Sequence, residues 1–249
     1  MVETKTVGSR VFKVVNYIIL TILAISCLYP LWYELCVSLS DKLAADSGAV
    51  TLWPIGINFA SYELIMGDNT FWNSFMISVG RVVLGTIWTM VVIIMMAYPL
   101  SKTSHEYKPR TILMWVLVFC MLFNGGTIPW YITMQKYNLI DNFAALIFAG
   151  SVPVFNVLLL MNFFRNLPAD IEEAALVDGA GPWRILWTIV VPCSVPVIAT
   201  VVLFTSVGYW NEYFQGLVLM NTEDKYPLQT YIRQITVQIP AGVTLTTEQ

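Results

Sequence analysis

Charge is what this sequence has least of. Of its 249 residues, 12% are Asp, Glu, Lys or Arg, 57% are hydrophobic, and the mean hydropathy is +0.68. A soluble domain carries about 25% charged residues. The shortage of charge therefore argues against an ordinary soluble domain. The net charge of -3 gives no indication of a nucleic-acid partner, and we expect none.

Groups for enzyme chemistry are equally scarce. His105 is the only histidine, and it lies in a charged loop between Lys102 and Lys108, where a solvated role is the simpler interpretation. The patterns GxSxG, HExxH and GxxxxGK[ST] are absent, so the chain lacks a phosphate-binding loop of its own. We therefore expect no catalytic residue, no cofactor and no metal. Any work against a gradient would draw its energy from ions or from another subunit.

Cysteine provides neither a disulfide framework nor a zinc site. The chain has four cysteines, all within apolar stretches and without the short spacings of metal-binding pairs. We expect them to be buried as small hydrophobic residues. They are Cys27, Cys36, Cys120 and Cys193.

Long apolar stretches are abundant. A helix needs about 20 apolar residues to cross a hydrocarbon layer of roughly 30 Å. Five stretches reach that length without the alternation typical of barrel strands, which predicts an all-α, polytopic protein in a lipid bilayer rather than a soluble protein with very apolar helices. The first is too long for a signal-peptide core. The stretches are Val14–Val37, Met76–Leu100, Ile112–Met134, Phe143–Phe164 and Ile185–Tyr209.

Lysine and arginine predict the orientation. Cytoplasmic loops of membrane proteins carry an excess of these residues. They concentrate before the first stretch and in the second and fourth connections, which predicts a cytoplasmic N-terminus and leaves residues 210–249 outside. The residues are Lys5, Arg10, Lys13, Lys102, Lys108, Arg110, Arg165 and Arg184.

Two charges lie within apolar stretches near their outer ends. Glu34 belongs to the first stretch and Arg81 to the second. A charge deep in a bilayer is costly, so two interpretations stay open: each side chain reaches the interface, or the two form an ion pair. Neither supplies a proton relay, because the middles of the stretches contain no charge.

One polar segment interrupts the apolar pattern between the last two stretches. Residues 172–192 read EEAALVDGAGPWRILWTIVVP. Asp170 is expected to cap a short helix, with Glu173 three residues later completing a capping box. Ala174 and Ala175 favour the helix and allow close approach to a neighbour.

Glycine and proline punctuate the same segment. Gly179 is placed to end the short helix in a left-handed conformation, and Pro182 to begin the next one. Pro192 and Pro196 are expected to kink or break the following span. Two helices at an angle favour docking to a partner, with a solvated connection as the alternative.

The spacing of this segment resembles the signature of permease subunits of bacterial ATP-binding-cassette (ABC) importers. The matching residues are Glu173, Ala174, Ala175, Gly179, Ile189, Val191 and Pro192, with valine at position 191 where leucine is usual. Segments such as WNSFMISVGRVVLGT, FNGGTIPWYITMQKYNLIDNFAALI and YWNEYFQGLVLMN are similar to the carbohydrate-uptake, maltose-permease-like branch. Within it they resemble the polysaccharide-oligomer and lipoprotein-associated group. The resemblance covers nearly all of residues 11–240.

The resemblance implies a type I ABC importer fold in one permease domain, residues 1–249, in the bacterial cell membrane. Such a subunit passes a sugar or oligosaccharide from an extracellular solute-binding protein to the cytoplasm. Its partners are a second permease, expected to be different, and two ATPase subunits that hydrolyse ATP. The coupling loop is 166–184, where Glu173 would meet a basic residue of the ATPase and Gly179 would permit the bend. The coupling residues implied are Glu172, Glu173, Ala174, Ala175, Asp178, Gly179, Ala180 and Pro192.

The external end of the chain also follows from the resemblance. Residues 210–249 occupy the place of an external segment that reaches toward the binding protein, and the family's sixth helix is absent after Gln249, so we expect a truncated sequence rather than a five-span member. Trp210, Asn211 and Gln215 are candidate substrate contacts. The alternative function is an ion-coupled secondary transporter or channel subunit, a class that often shows internal repeats, of which we detect none.

Overall fold

The computed structural model describes residues 7–150 and 152–238, and every regular element in these ranges is helical. The chain divides into two units, Met1–Asp68 and Asn69–Gln249. The first unit contains α1 (Val7–Ser38), α2 (Lys42–Asp46) and α3 (Ala60–Gly67).

The second unit contains the remaining helices. They are α4 (Asn69–Ser101), α5 (Arg110–Leu122), α6 (Thr127–Lys136), α7 (Phe143–Phe148), α8 (Val154–Arg165), α9 (Ala169–Val177), α10 (Pro182–Ile185), a π-helical stretch (Leu186–Val190), α11 (Val191–Cys193), α12 (Val195–Asn211), α13 (Phe214–Leu219), a 3₁₀ turn (Glu223–Lys225) and α14 (Leu228–Gln238).

In the first unit, α1 is a single long apolar helix. Its segment Gly8–Ser38 has a mean hydropathy of 2.2 and is long enough to cross a bilayer. A loop returns to its end, where the Ser40 hydroxyl accepts from the Ile55 amide at 3.0 Å and the Trp32 indole donates to the Leu52 carbonyl at 2.8 Å. These bonds satisfy polar groups that would otherwise face the apolar helix.

In the second unit, α4 is the central helix. It is 33 residues long and packs most extensively against α8 and α12, and also against α7 and α14. The core beside α4 is built from apolar side chains of α4, α5, α8, α9, α10 and α12 and of the π-helical stretch. Its most buried members include Ile93, Ala97, Val157, Leu160, Val190 and Val201.

The third predicted span is broken. Ile112–Met134 divides into α5 and α6, which meet at an angle of 116°. The break falls at the Asn-Gly-Gly sequence, where Gly126 has φ 85° and ψ 170°. This left-handed region favours glycine, so the chain turns here rather than continuing one helix.

The fourth and fifth predicted spans are also divided. Residues between α7 and α8 interrupt Phe143–Phe164, and Pro153 precedes α8. Ile185–Tyr209 passes through the π-helical stretch and then bends by 83° beside Ser194, between Pro192 and Pro196. The expected break at these prolines is confirmed. Two described helices are long and apolar enough to cross a membrane, or up to four if each bent pair is one span, and α8 is a shorter apolar helix.

The cysteines are less buried than expected. Cys36 is buried, but Cys27, Cys120 and Cys193 are exposed. The prediction of buried cysteines is therefore right for one of the four. An apolar stretch does not show which of its residues are buried, because the outer surface of a membrane helix is as apolar as its packed face.

Candidate functional site

The candidate coupling helix α9 begins two residues earlier than predicted. Pro168 occupies the N-cap position with φ −58° and ψ 124°, and no side chain caps the helix. The predicted capping box of Asp170 and Glu173 is therefore wrong. Asp170 falls inside the first turn with Glu172, where carboxylates favour the positive end of the helix dipole.

The predicted left-handed end of α9 is confirmed. Gly179 has φ 78°. Its amide donates to the Leu176 carbonyl at 3.0 Å, and the Ala180 amide donates to the Ala175 carbonyl at 2.9 Å. This pair of bonds is the Schellman arrangement, which satisfies the last carbonyls of a helix. It turns the chain sharply after nine helical residues.

One face of α9 is anchored to the rest of the unit. Ala175 is 8% exposed and belongs to the core beside α4. The Glu172 carboxylate forms an ion pair with the Lys102 ammonium, just beyond the end of α4. That ammonium also lies 4.6 Å from the centre of the Tyr98 ring. A charge pair and a buried alanine thus hold α9 against α4.

The opposite face of α9 is free. Glu173, Ala174 and Asp178 are exposed, and Val177 is 88% exposed. Among the described residues, the side chain of Glu173 has neither a hydrogen-bond partner nor an ion-pair partner. An exposed face that combines a carboxylate with small and apolar side chains suits a partner that supplies a cation and an apolar cleft.

A cavity of about 490 Å³ lies beside the anchored face. It is formed by the end of α4, α9 and the start of α10, and Pro182 occupies the first position of α10 as predicted. Tyr98, Lys102, Glu172, Leu176 and Trp183 are among the residues that line it. The bend after Gly179 therefore leaves a cavity between α9, α10 and the end of α4, and these helices do not pack closely there.

The chain beyond the cavity returns to the core. Ile189 and Val191, the apolar positions of the motif, are partly buried against the core beside α4, and Ala180 is too. Pro192 lies within α11 next to the bend. Ile189, Val191 and Ala180 therefore hold the loop in place, whereas Pro192 is exposed.

The second notable site surrounds Arg81, whose side chain is 1% exposed. Its guanidinium donates to the Leu146 carbonyl at 3.1 Å, the Glu212 carbonyl at 2.8 Å, the Glu212 carboxylate at 2.8 Å and the Gln215 side chain. It also lies 5.6 Å from the centre of the Tyr209 ring. This single cation therefore joins α4 to α7, α12 and α13.

Of the two interpretations left open for Arg81, an interfacial position or an ion pair with Glu34, neither describes its surroundings, because Arg81 is buried in an ion pair with another residue. That residue is Glu212, whereas Glu34 is an exposed residue of the first unit. The reason is helix geometry: Arg81 lies where α7 and α12 end, and the carbonyls at helix C-termini attract a cation. Glu212 also accepts from the Gln215 amide at 2.9 Å, which fixes the start of α13.

The three candidate substrate contacts have separate surroundings. Gln215 belongs to the Arg81 cluster. The Trp210 ring meets Phe75 edge-on, with 6.1 Å between centroids. Asn211 is exposed at the end of α12. Of the three, the structure brings only Gln215 into a polar cluster.

Sequence patterns did not predict the roles of two residues in these sites, Glu212 and Lys102. Glu212 directly follows Asn211, so a carboxylate after the last apolar stretch was the available signal. The sequence indicates Lys102 only as a basic loop residue, although it is the first charge after the apolar part of α4. Their partners are 131 and 70 residues away, a separation that local patterns do not bridge.

Comparison with known proteins places the chain in a family. Residues 7–246 match the family described as binding-protein-dependent transport system inner membrane component. Among its relatives, Protein LplC of Bacillus subtilis is 34% identical over 232 residues, which cover 93% of this chain and 78% of the relative. The polygalacturonan/rhamnogalacturonan transport system permease protein YtcP of the same organism is 34% identical over 229 residues, 92% of this chain and 79% of that one.

A solved structure agrees with the sequence comparison. A chain of a bacterial ABC transporter involved in the import of the acidic polysaccharide alginate superposes with a TM-score of 0.88 at 33% identity. The match covers 97% of this chain and 85% of that chain. Since the family match extends over almost the whole chain, the protein belongs to the binding-protein-dependent transport system inner membrane components, as a membrane-spanning permease subunit of an ABC importer whose ATPase is a separate subunit.

Proposed function

We propose that this subunit passes a sugar or oligosaccharide, delivered by an extracellular solute-binding protein, across the inner membrane to the cytoplasm. The relatives' names support a carbohydrate: they include polygalacturonan/rhamnogalacturonan transport and diacetylchitobiose uptake. The complete importer contains this chain, a second and different permease, and two ATPase subunits.

The proposed orientation has a cytoplasmic N-terminus. The distribution of lysine and arginine supports it, because the connections that contain Lys102 and Arg184 are the basic ones. The coupling loop 166–184 then faces the cytoplasm, where the ATPase is. Residues 210–249 face outside, toward the binding protein, and positions 239–249 lie outside the described residues.

The two faces of α9 are the observation that carries the coupling proposal. Glu173, Ala174 and Asp178 form the face that enters a cleft of the ATPase, with Glu173 opposite a basic residue there. Glu172, Ala175 and Ala180 hold the helix to its own chain. Gly179 makes the turn, and Pro192 lies beside the bend that follows the loop.

The anchored face gives this arrangement a mechanical consequence. When ATP brings the two ATPases together, α9 moves with the cleft that holds it. Because Glu172 is paired with Lys102 and Ala175 is packed in the core, the end of α4 must follow. Packed helices move as rigid bodies rather than deform continuously, so the motion reaches the other end of α4, near Arg81.

Site-specific crosslinking tests the docking face. In a background with the four native cysteines replaced by serine, Ala174→Cys should crosslink to the assembled ATPase. Ala175→Cys is a matched control on the same helix, because its side chain is buried. Thr51→Cys, exposed in a connection assigned to the outer side, should not react with the ATPase.

Two outcomes contradict the proposal. Equal crosslinking at the exposed and buried alanines contradicts the assignment of the docking face. Capture of the ATPase from Thr51 contradicts the orientation.

A further inference from the structure

The Arg81 cluster borders a second cavity, and this cavity is large enough for more than water. Its volume is about 190 Å³, and it lies among α4, α8, α12 and α13. A single water needs roughly 10–15 Å³ measured with a water-sized probe. The space therefore admits an organic group. It lies where the ionisable side chain of Arg81 is buried in a helix that has no other charge.

Two side chains on the wall of this cavity have polar atoms without a hydrogen-bond partner among the described residues. The Asn156 side-chain amide donates to the Thr205 hydroxyl at 3.2 Å, while its Oδ1 has no hydrogen-bond partner among the described residues. The Gln215 side-chain oxygen accepts from Arg81, while its Nε2 has no acceptor in the same ranges. Asn156 is 7% exposed and is one of the residues that line the cavity, so its free oxygen is available to a group bound there.

Glu212 adds an acceptor, and two aromatic rings complete the wall. The Glu212 side chain is 27% exposed, and a carboxylate has about four acceptor sites, more than Arg81 and the Gln215 amide occupy. Phe204 and Tyr209 contribute apolar ring surface. A few convergent donors and acceptors on an apolar wall are typical of small-molecule sites. Sugar hydroxyls, each both donor and acceptor, match this mixture.

The charges at the cavity favour an uncharged sugar. Arg81 is the one cation among the lining residues, and Glu212 is the one anion. The guanidinium is already bonded to the Glu212 carboxylate, the Gln215 side chain and two carbonyls. A sugar carboxylate would meet Glu212 as a like charge, or would have to displace it and leave it without its cation.

We propose that this cavity is a substrate subsite for an uncharged sugar unit, held by Asn156, Gln215 and Glu212, with Arg81 as the positioning residue. The inference rests on the proposed function and adds the charge class of the substrate. The described substrate of the superposed transporter is an acidic polysaccharide, so the inference predicts a different charge class for the substrate of this chain.

Equilibrium binding tests the subsite without the binding protein. The assembled permease and ATPase complex is placed in nanodiscs and dialysed against labelled trisaccharides of glucose, galactose and mannose, and against the matching uronate trisaccharides. At least one neutral trisaccharide should bind more tightly than its uronate counterpart. Asn156→Leu and Gln215→Met, which keep the side-chain volume, should each weaken that binding by about tenfold or more.

A matched control and two outcomes decide the result. Glu223→Gln removes an exposed carboxylate away from the cavity and should leave binding unchanged. The subsite is overturned if every uronate binds more tightly than its neutral counterpart, if no trisaccharide binds, or if binding is unchanged in both cavity variants. ATP-driven sugar uptake by the complete wild-type importer is measured in parallel. If the importer takes up sugar while the binding test fails, the proposed function stands and only the subsite is wrong. The proposed function itself is contradicted only if the wild-type importer takes up no sugar.

Discussion

Reversing the charges of the Lys102–Glu172 pair tests how the coupling helix is held. The two side chains are 20% and 22% exposed, so the pair is neither a surface pair nor fully buried. Exposed pairs contribute about 0.2–1 kcal/mol, and breaking a buried pair costs about 3–5 kcal/mol. We expect Glu172→Lys or Lys102→Glu to destabilise the docked position of α9 by about 1–3 kcal/mol, a factor of roughly 5–150 in that equilibrium.

The assay is a double-mutant cycle on the assembled importer. Thermal stability and stimulation of ATP hydrolysis by the binding protein are measured for both single reversals and for the double exchange. Each single reversal should lower both quantities, because like charges then face each other beside Tyr98. The double exchange should recover at least half of each loss, since the opposite charges are restored.

An exposed lysine of the same connection provides the control. Lys108→Glu introduces the same charge change as Lys102→Glu at an exposed position and should leave both quantities near the wild-type values. If the double exchange is as defective as the sum of the single reversals, the pair does not anchor α9. If neither single reversal has an effect, the ion pair contributes nothing to coupling.

The remaining predictions concern backbone strain, packing and acid. Gly179→Ala should weaken ATPase assembly by about 1–2 kcal/mol, because φ is 78° there while the surrounding space is open, and pull-down of the ATPase measures it. Gly85→Ala should lower the Tm by an amount that corresponds to about 1–3 kcal/mol, because the new Cβ would come within 2.7 Å of the Tyr209 ring. The Lys225 ammonium lowers the pKa of the Asp141 carboxyl in the fold. The stabilisation of the fold by the Asp141–Lys225 ion pair is therefore present above about pH 4 and is lost as the pH falls through the folded pKa of Asp141. Faster hydrogen exchange at residues 221–225 at low pH would show this loss.

Each of these predictions has a contradicting result. Gly208 has open space around its Cβ position, so a similar loss of Tm in Gly208→Ala and Gly85→Ala would contradict the packing argument. Equal ATPase assembly with alanine at position 179 would contradict the strain argument. Asp141→Asn should reproduce the acid effect at neutral pH, and unchanged exchange in that variant would contradict the ion pair.

Elements governed by local sequence were predictable. The apolar stretches without interruption became α1 and α4. Gly179 and Pro182 ended and restarted helices where expected, because each residue has its own backbone preference. The same reasoning failed at Asp170, where Pro168 already supplied the helix start and no side-chain cap was needed.

Features that depend on distant residues were not predictable from one sequence. The break between α5 and α6 is a different case, because its signal is local: two glycines interrupt the apolar run. The partner of Arg81 is Glu212, which the chain brings near only after α7, α8 and α12 have packed against α4. The division of α9 into an anchored and a free face likewise depends on Lys102, a residue of another connection.

Sugar uptake in proteoliposomes tests the central claim most directly. The complete importer, with its second permease, ATPase pair and binding protein, should accumulate sugar only when ATP is supplied. Glu173→Ala should keep assembly into the membrane near normal, because Glu173 is exposed, but should separate ATP hydrolysis from uptake. Uptake by this chain alone under a proton or sodium gradient would contradict the account in favour of a secondary transporter, and wild-type uptake in Glu173→Ala would contradict the coupling role of α9.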